Sequence, residues 1–195
     1  MNVAVETSDV IDTDQSGLRL QPGFVEGIEC DRKRFSTLQE AYRHIFRNNL
    51  EYAIMLWNGI PIRFEYQKDL AAIIDDLIAM LRAVQDFELD EFTPFQFRSA
   101  NVGFVWKVMT TAEYVTITAE WVKVPGGYEA ALNKLGMIQM LRLDFMCEWK
   151  LLLKQFIQAI DDAESDLTEI EAQEKLNIMR SLEEGIPNRG LFYQY

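Results

Sequence analysis

Residues 51–66 read EYAIMLWNGIPIRFEY, two apolar runs on either side of Asn58-Gly59. A two-residue type I′ turn needs positive φ at both central positions, and Asn-Gly is the pair that tolerates this best. The dipeptide therefore predicts a β-hairpin. Its first strand, Ala53–Trp57, is apolar at every position, which predicts an interior strand covered on both faces. The second strand alternates: Ile60, Ile62, Phe64 and Tyr66 share one face, and Pro61, Arg63 and Glu65 the other. Pro61 has no N–H to give to a neighbour, so this strand is expected at an edge.

Around the hairpin the pattern alternates between helical and strand periods. Leu38, Tyr42, Ile45 and Phe46 repeat at helical spacing up to about Asn48, and Ser36 with Gln39 has capping-box spacing at the start. After the hairpin, Asp69 is the expected cap of a helix whose stripe is Leu70, Ile73, Ile74, Leu77, Ile78, Leu81 and Val84. Residues 85–92, QDFELDEF, break that pattern as an acidic loop. Strands are predicted over 95–98, 102–110 and 113–124; in the last, Val115, Ile117, Ala119 and Trp121 share a face. Pro125-Gly126-Gly127 ends this segment.

One helix over 128–163 would be about 54 Å long, too long for a domain of this size. Gly136 offers a break, which leaves a short helix or loop, a brief strand or bent turn at 137–141 and a helix from about Asp144 to Ala163. Phe145, Trp149, Leu152, Phe156 and Ile160 would line its buried side. A last helix is expected from Asp166 to Glu184, with Thr168 and Glu171 as its capping box and Gly185 and Pro187 as its stop. The aromatic tail NRGLFYQY is expected to dock on the domain. Residues 1–34 are read as a partly flexible N-terminal segment with one short strand near 24–28, and 35–195 as a single domain. The order α-ββ-α-βββ-α-α predicts an α+β fold, a mainly antiparallel sheet with helices packed on it.

Composition narrows the function classes. Of the 195 residues 49% are hydrophobic, enough to build a core and to argue against wholesale disorder. No stretch approaches the roughly 20 apolar residues of a membrane span, and the acidic start MNVAVETSDVIDTD has no signal-peptide core. Cys30 and Cys147 match no metal or redox spacing and are read as free thiols of a cytoplasmic protein. The net charge of −12 makes nucleic acid and anionic membrane poor partners and a basic protein surface a natural one. The oligomeric state, a homodimer included, stays open.

Catalytic chemistry finds little support. His44 is the one histidine, and no nucleophile can be paired with it from spacing. No zinc ligand set, glycine-rich phosphate loop or other cofactor signature is present, so no cofactor is expected. Asp75-Asp76 and Asp161-Asp162 are helical neighbours that point about 100° apart and make no natural dyad. Glu148 beside Trp149 is the best carboxylate for acid catalysis, although a rim position on an amphipathic helix explains it more simply. The reading is therefore non-enzymatic.

Charge distribution is more informative. Residues 61–92 hold eight acidic and three basic side chains, residues 161–195 nine and three, and the sheet segment 93–127 two and three. Convergence of the two acidic blocks would make a partner-binding face from Asp75, Asp76, Asp86, Glu88, Asp90, Glu91, Asp161, Asp162 and Glu164.

With the stretch FMCEWKLLLKQF (145–156), a second helix and the aromatic end Gly190-Leu191-Phe192-Tyr193, the chain resembles, over about residues 36–193, the immunity proteins of bacterial polymorphic-toxin and contact-dependent inhibition systems. The resemblance implies a stoichiometric inhibitor that plugs a cognate toxin's active site, its acidic side chains standing in for phosphate where the toxin is a nuclease. Two rival readings stand beside it. One is an acidic secretion chaperone or adaptor for an effector; the other is an enzyme acting through carboxylates such as Glu148.

Overall fold

The computed structural model describes residues 17–25, 28–30 and 32–188. In chain order the elements are β1 (Leu18–Gln21), β2 (Arg34–Phe35), α1 (Leu38–Ile45), β3 (Tyr52–Trp57), β4 (Ile60–Glu65), α2 (Ala71–Gln85), β5 (Thr93–Arg98), β6 (Gly103–Thr110), β7 (Tyr114–Lys123), α3 (Glu129–Leu132), β8 (Ile138–Leu141), α4 (Arg142–Asp162), β9 (Asp166–Leu167) and α5 (Ile170–Gly185). The fold is α+β, and every strand pairing in the two larger sheets is antiparallel.

The hairpin forms as its sequence dictates. Asn58 has φ 45° and Gly59 φ 82°, the two positive values of a type I′ turn. Asn58 also accepts an N–H bond from Gly17 through its side chain at 2.9 Å. β3 lies at the centre of a three-stranded sheet of order β1-β3-β4, and β4 is an edge, as Pro61 requires. Ala53, Met55 and Trp57 are buried, while Ile54 and Leu56 on the other face are half-buried.

The second sheet has the order β5-β6-β7-β8. The two sheets meet through aromatic side chains. Trp57 of β3 lies 5.3 Å from Trp106 of β6 and 5.4 Å from Trp121 of β7, and Trp149 of α4 lies 6.3 Å from Trp106. Phe64 and Phe104 complete the junction edge to face at 6.3 Å. All four indole N–H groups are buried without an oxygen or nitrogen acceptor among the described residues. The Trp57–Trp121, Trp106–Trp121 and Trp106–Trp149 pairs are crossed at 76°, 82° and 66°, the geometry in which a positive ring edge meets a negative ring face. The helices form the second layer: α1, α2, α4 and α5 pack on one another, with α2 against β5 and α4 against β1, β7 and β8. The buried apolar side chains make one contiguous core.

Several sequence expectations shift. The first helix is capped by Thr37 and Glu40, not Ser36 and Gln39: Thr37 Oγ1 accepts from Glu40 N–H at 3.1 Å, and Glu40 Oε2 accepts from Ser36 N–H at 3.1 Å. No strand is formed by the described residues of 24–28; the N-terminal strand is β1, and Phe24 is exposed. Asp69 is not an N-cap. Tyr66–Leu70 already form a wide helical turn leading into α2, and Asp69 reaches back with Oδ2 to the Glu65 N–H at 2.9 Å. Residues 166–167 are not helical either. They form β9, a two-residue parallel pairing with β2. Thr168 then donates its hydroxyl to the Phe35 carbonyl at 3.2 Å, so no Thr168–Glu171 box forms. The aromatic tail from Arg189 lies outside the described residues.

Candidate functional site

The nine acidic positions separate into two groups. Asp75 on α2 and Asp161 on α4 flank α5, which supplies a cation to each: Lys175 Nζ lies 3.0 Å from Asp75 and Arg180 2.6 Å from Asp161. These two carboxylates therefore tie helices together. Lys175 also meets Glu171 at 2.7 Å, one turn earlier. Asp76 is raised above the ordinary carboxylate range by partial burial and by the neighbouring Asp75. Glu164 is held below its ordinary range by Arg32, whose Nε lies 2.6 Å away. Asp162 has no ion pair among the described residues.

Asp86, Glu88, Asp90 and Glu91 lie elsewhere. They follow the C-terminal end of α2, about 15 Å along the axis from Asp76 at 1.5 Å per residue. The acids of loop 86–92 are thus separate from those around α5. Two of the nine, Asp75 and Asp161, are spent on contacts of α2 and α4 with α5.

The loop 86–92 is well anchored. Asp86 pairs back to Arg82 at 3.5 Å. Leu89, the one aliphatic side chain of the loop, is buried, and its carbonyl accepts the Thr110 N–H at 2.7 Å and the Thr110 hydroxyl at 3.2 Å. Arg142 at the start of α4 places its guanidinium 3.8 Å from the centre of the Phe87 ring and donates to the Gln85 carbonyl at 3.4 Å. Phe87 has φ 59°, a costly value for a bulky residue that this surrounding structure imposes. The result is a fixed loop whose outward side chains are Glu88, Asp90 and Glu91, with no ion pair among the described residues, flanked by exposed Phe87 and Phe92. The anchors Leu89 and Arg142 were not apparent in the sequence. A lone leucine inside QDFELDEF was the available signal.

Glu148 is not a rim residue. It is 5% exposed, and Oε2 accepts the Leu20 N–H at 2.8 Å, fastening β1 onto α4. His44 is half-buried against the Phe35 ring at 5.3 Å, with Lys33 Nζ 3.2 Å from its Nε2 and the Arg47 guanidinium alongside. Cys30 is exposed and Cys147 half-buried, neither in a disulfide, and the Cys147 thiol donates to the Pro187 carbonyl at 3.6 Å. Among the described residues no group of three or more His, Cys, Asp or Glu is placed to hold a metal ion, and no helix is long and apolar enough to cross a membrane. Comparison with protein-family models, curated proteins and solved structures finds no match to the chain.

Proposed function

We propose that this chain is a non-enzymatic immunity protein that binds and neutralises a cognate bacterial toxin, with loop 86–92 as the contact for a basic toxin surface. The observation that carries this reading is the fixed presentation of Glu88, Asp90 and Glu91 between two exposed phenylalanines. A loop already held in one conformation loses little entropy on binding. Aromatic side chains beside uncompensated charge supply both contact area and steering for a cationic partner. The other sequence-predicted acids contribute less, because Asp75, Asp161, Asp86 and Glu164 already face cations of the same chain.

The carboxylate-enzyme reading is the weaker one, because Glu148 Oε2 bonds the β1 backbone from a buried position. The chaperone reading gains no observation of its own. The test is co-expression, in a bacterial host, with the product of the neighbouring upstream reading frame, which the immunity reading requires to be a toxin. Relief of growth arrest is expected. Changing Glu88, Asp90 and Glu91 together to Gln, Asn and Gln should slow association by roughly tenfold at low salt, with the difference shrinking as salt rises. Unrelieved arrest would remove the immunity reading. Relief with an unchanged association rate would move the interface away from the loop.

A further inference from the structure

At the opposite end of α2, about 22 Å from the acidic loop by helix length, the two sheets leave a polar cleft of about 330 Å³. Its walls come from four segments: Tyr52 of β3, Arg63 and Glu65 of β4, Asn101 of the β5–β6 turn, and Lys123 with Val124 and Pro125 at the end of β7. The volume lies within the range of small-molecule sites.

The floor is fixed by a hydrogen-bond network. Asp69, 1% exposed, accepts from Ser99 Oγ at 2.6 Å, from the Glu65 N–H at 2.9 Å, and from the Asn101 N–H and side-chain amide at 3.3 and 3.4 Å. Glu65 is likewise occupied, by Lys68 at 2.7 Å and by the Asn101 amide at 3.1 Å. Both carboxylates are therefore satisfied within the chain. The cations facing them across the cleft are not. Among the described residues neither Arg63 nor Lys123 has a carboxylate within ion-pair range. Lys123 donates to the Ala100 carbonyl, which uses one of its three N–H groups. The Arg63 guanidinium stands 6.0 Å from the centre of the Tyr52 ring, with its donor fork uncommitted in the contacts described. The cleft lining thus holds two cations, Arg63 and Lys123, against two carboxylates that are already hydrogen-bonded, on a molecule of net charge −12.

We propose that this cleft binds a small organic anion, its carboxylate or phosphate group held between Arg63 and Lys123 and its body against the Tyr52 ring. A guanidinium offers paired donors that match either oxyanion, and an ammonium adds a point charge. Arg63 and Lys123 stand exposed on the rim, above the floor that the Asp69 network holds. The site is separate from the acidic loop, so its fate does not depend on the immunity reading.

The experiment is an amide NMR titration of the full chain with inorganic phosphate and, separately, with succinate, sodium chloride being adjusted to hold ionic strength constant. At least one anion should give saturable shifts at the Asn101 and Val124 amides. Phosphate alone would assign a phosphorylated ligand, succinate alone a carboxylate. The Arg63→Gln, Lys123→Gln double variant should weaken that binding at least tenfold with an unchanged melting temperature, whereas Lys123→Arg should keep it. Absence of saturable shifts for both anions up to about 20 mM, well beyond a millimolar dissociation constant, would overturn the proposal. Shifts that persist in the double variant would overturn it equally.

Discussion

At the scale of single residues, Asp69 joins what the chain keeps far apart. From a buried place in the turn before α2, its carboxylate bonds the end of β4 and the turn between β5 and β6. Removing one partner from a buried polar network leaves the others desolvated and unpaired. Asp69→Ala should therefore destabilise by about 3 kcal/mol or more. Asp69→Asn keeps an acceptor and should cost less. Urea unfolding measures both, and an alanine variant as stable as the parent would remove Asp69 from this role. Trp57 makes a parallel case in the apolar core. It is fully buried against Trp106 and Trp121, so Trp57→Ala should lose roughly 3–5 kcal/mol, as large aromatic truncations do. Unchanged thermal stability with loss of partner binding would instead make the hairpin an interface.

At the scale of elements, legibility followed the range of the forces involved. The hairpin was readable because an Asn-Gly turn, an alternating strand and an edge proline are all local signals. The stripe of α2 was readable for the same reason, and every one of its seven predicted residues is buried. The two-residue β2–β9 pairing was not, since it joins Arg34 to Asp166 with no periodicity to announce it. The start of α2 misled because an aspartate near a helix start reads as an N-cap, whereas Asp69 lies inside the first turn and bonds backwards. The ion pairs of the acidic side chains were not legible either. Sequence counts charges but does not pair them, and the cation for Asp75 lies 100 positions away at Lys175. That pair is about a quarter exposed on both sides, so a double-mutant cycle with Asp75→Asn and Lys175→Met should return a coupling of up to about 1 kcal/mol after solvent screening. A coupling indistinguishable from zero would mean that α2 and α5 are held by their apolar contacts alone. It would also return Asp75 to the pool of charge available to a partner.

At the scale of the whole molecule, the helical layer closes around a phenol. Tyr42 of α1 is fully buried, stacked near Phe46 at 5.7 Å and edge to face with Phe156 at 4.5 Å. Its hydroxyl has the sulfur of Met179 as partner at 3.8 Å. Burial, reinforced by the nearby Asp161, pushes its ionisation far above the ordinary tyrosine value. Tyr66 is raised in the same direction, again chiefly by burial, and donates to Gln155 at 2.7 Å. In the unfolded chain both phenols ionise near pH 10. A group whose folded-state pKa is the higher one favours the folded state fully below the unfolded value, and that contribution is lost as pH rises above it, because only the unfolded chain can then release the proton. A net charge of −12 adds self-repulsion that grows with each further ionisation. The expected outcome is cooperative unfolding above about pH 10, with part of the phenolate absorbance of the seven tyrosines appearing only together with loss of helical circular dichroism. Tyr42→Phe keeps the ring contacts and removes the ionisable group, so its alkaline midpoint should move to higher pH. If all the tyrosines titrated gradually while the dichroism stayed constant, Tyr42 would be reachable by solvent without unfolding. The close packing of α1, α4 and α5 around it would then not describe the molecule in solution.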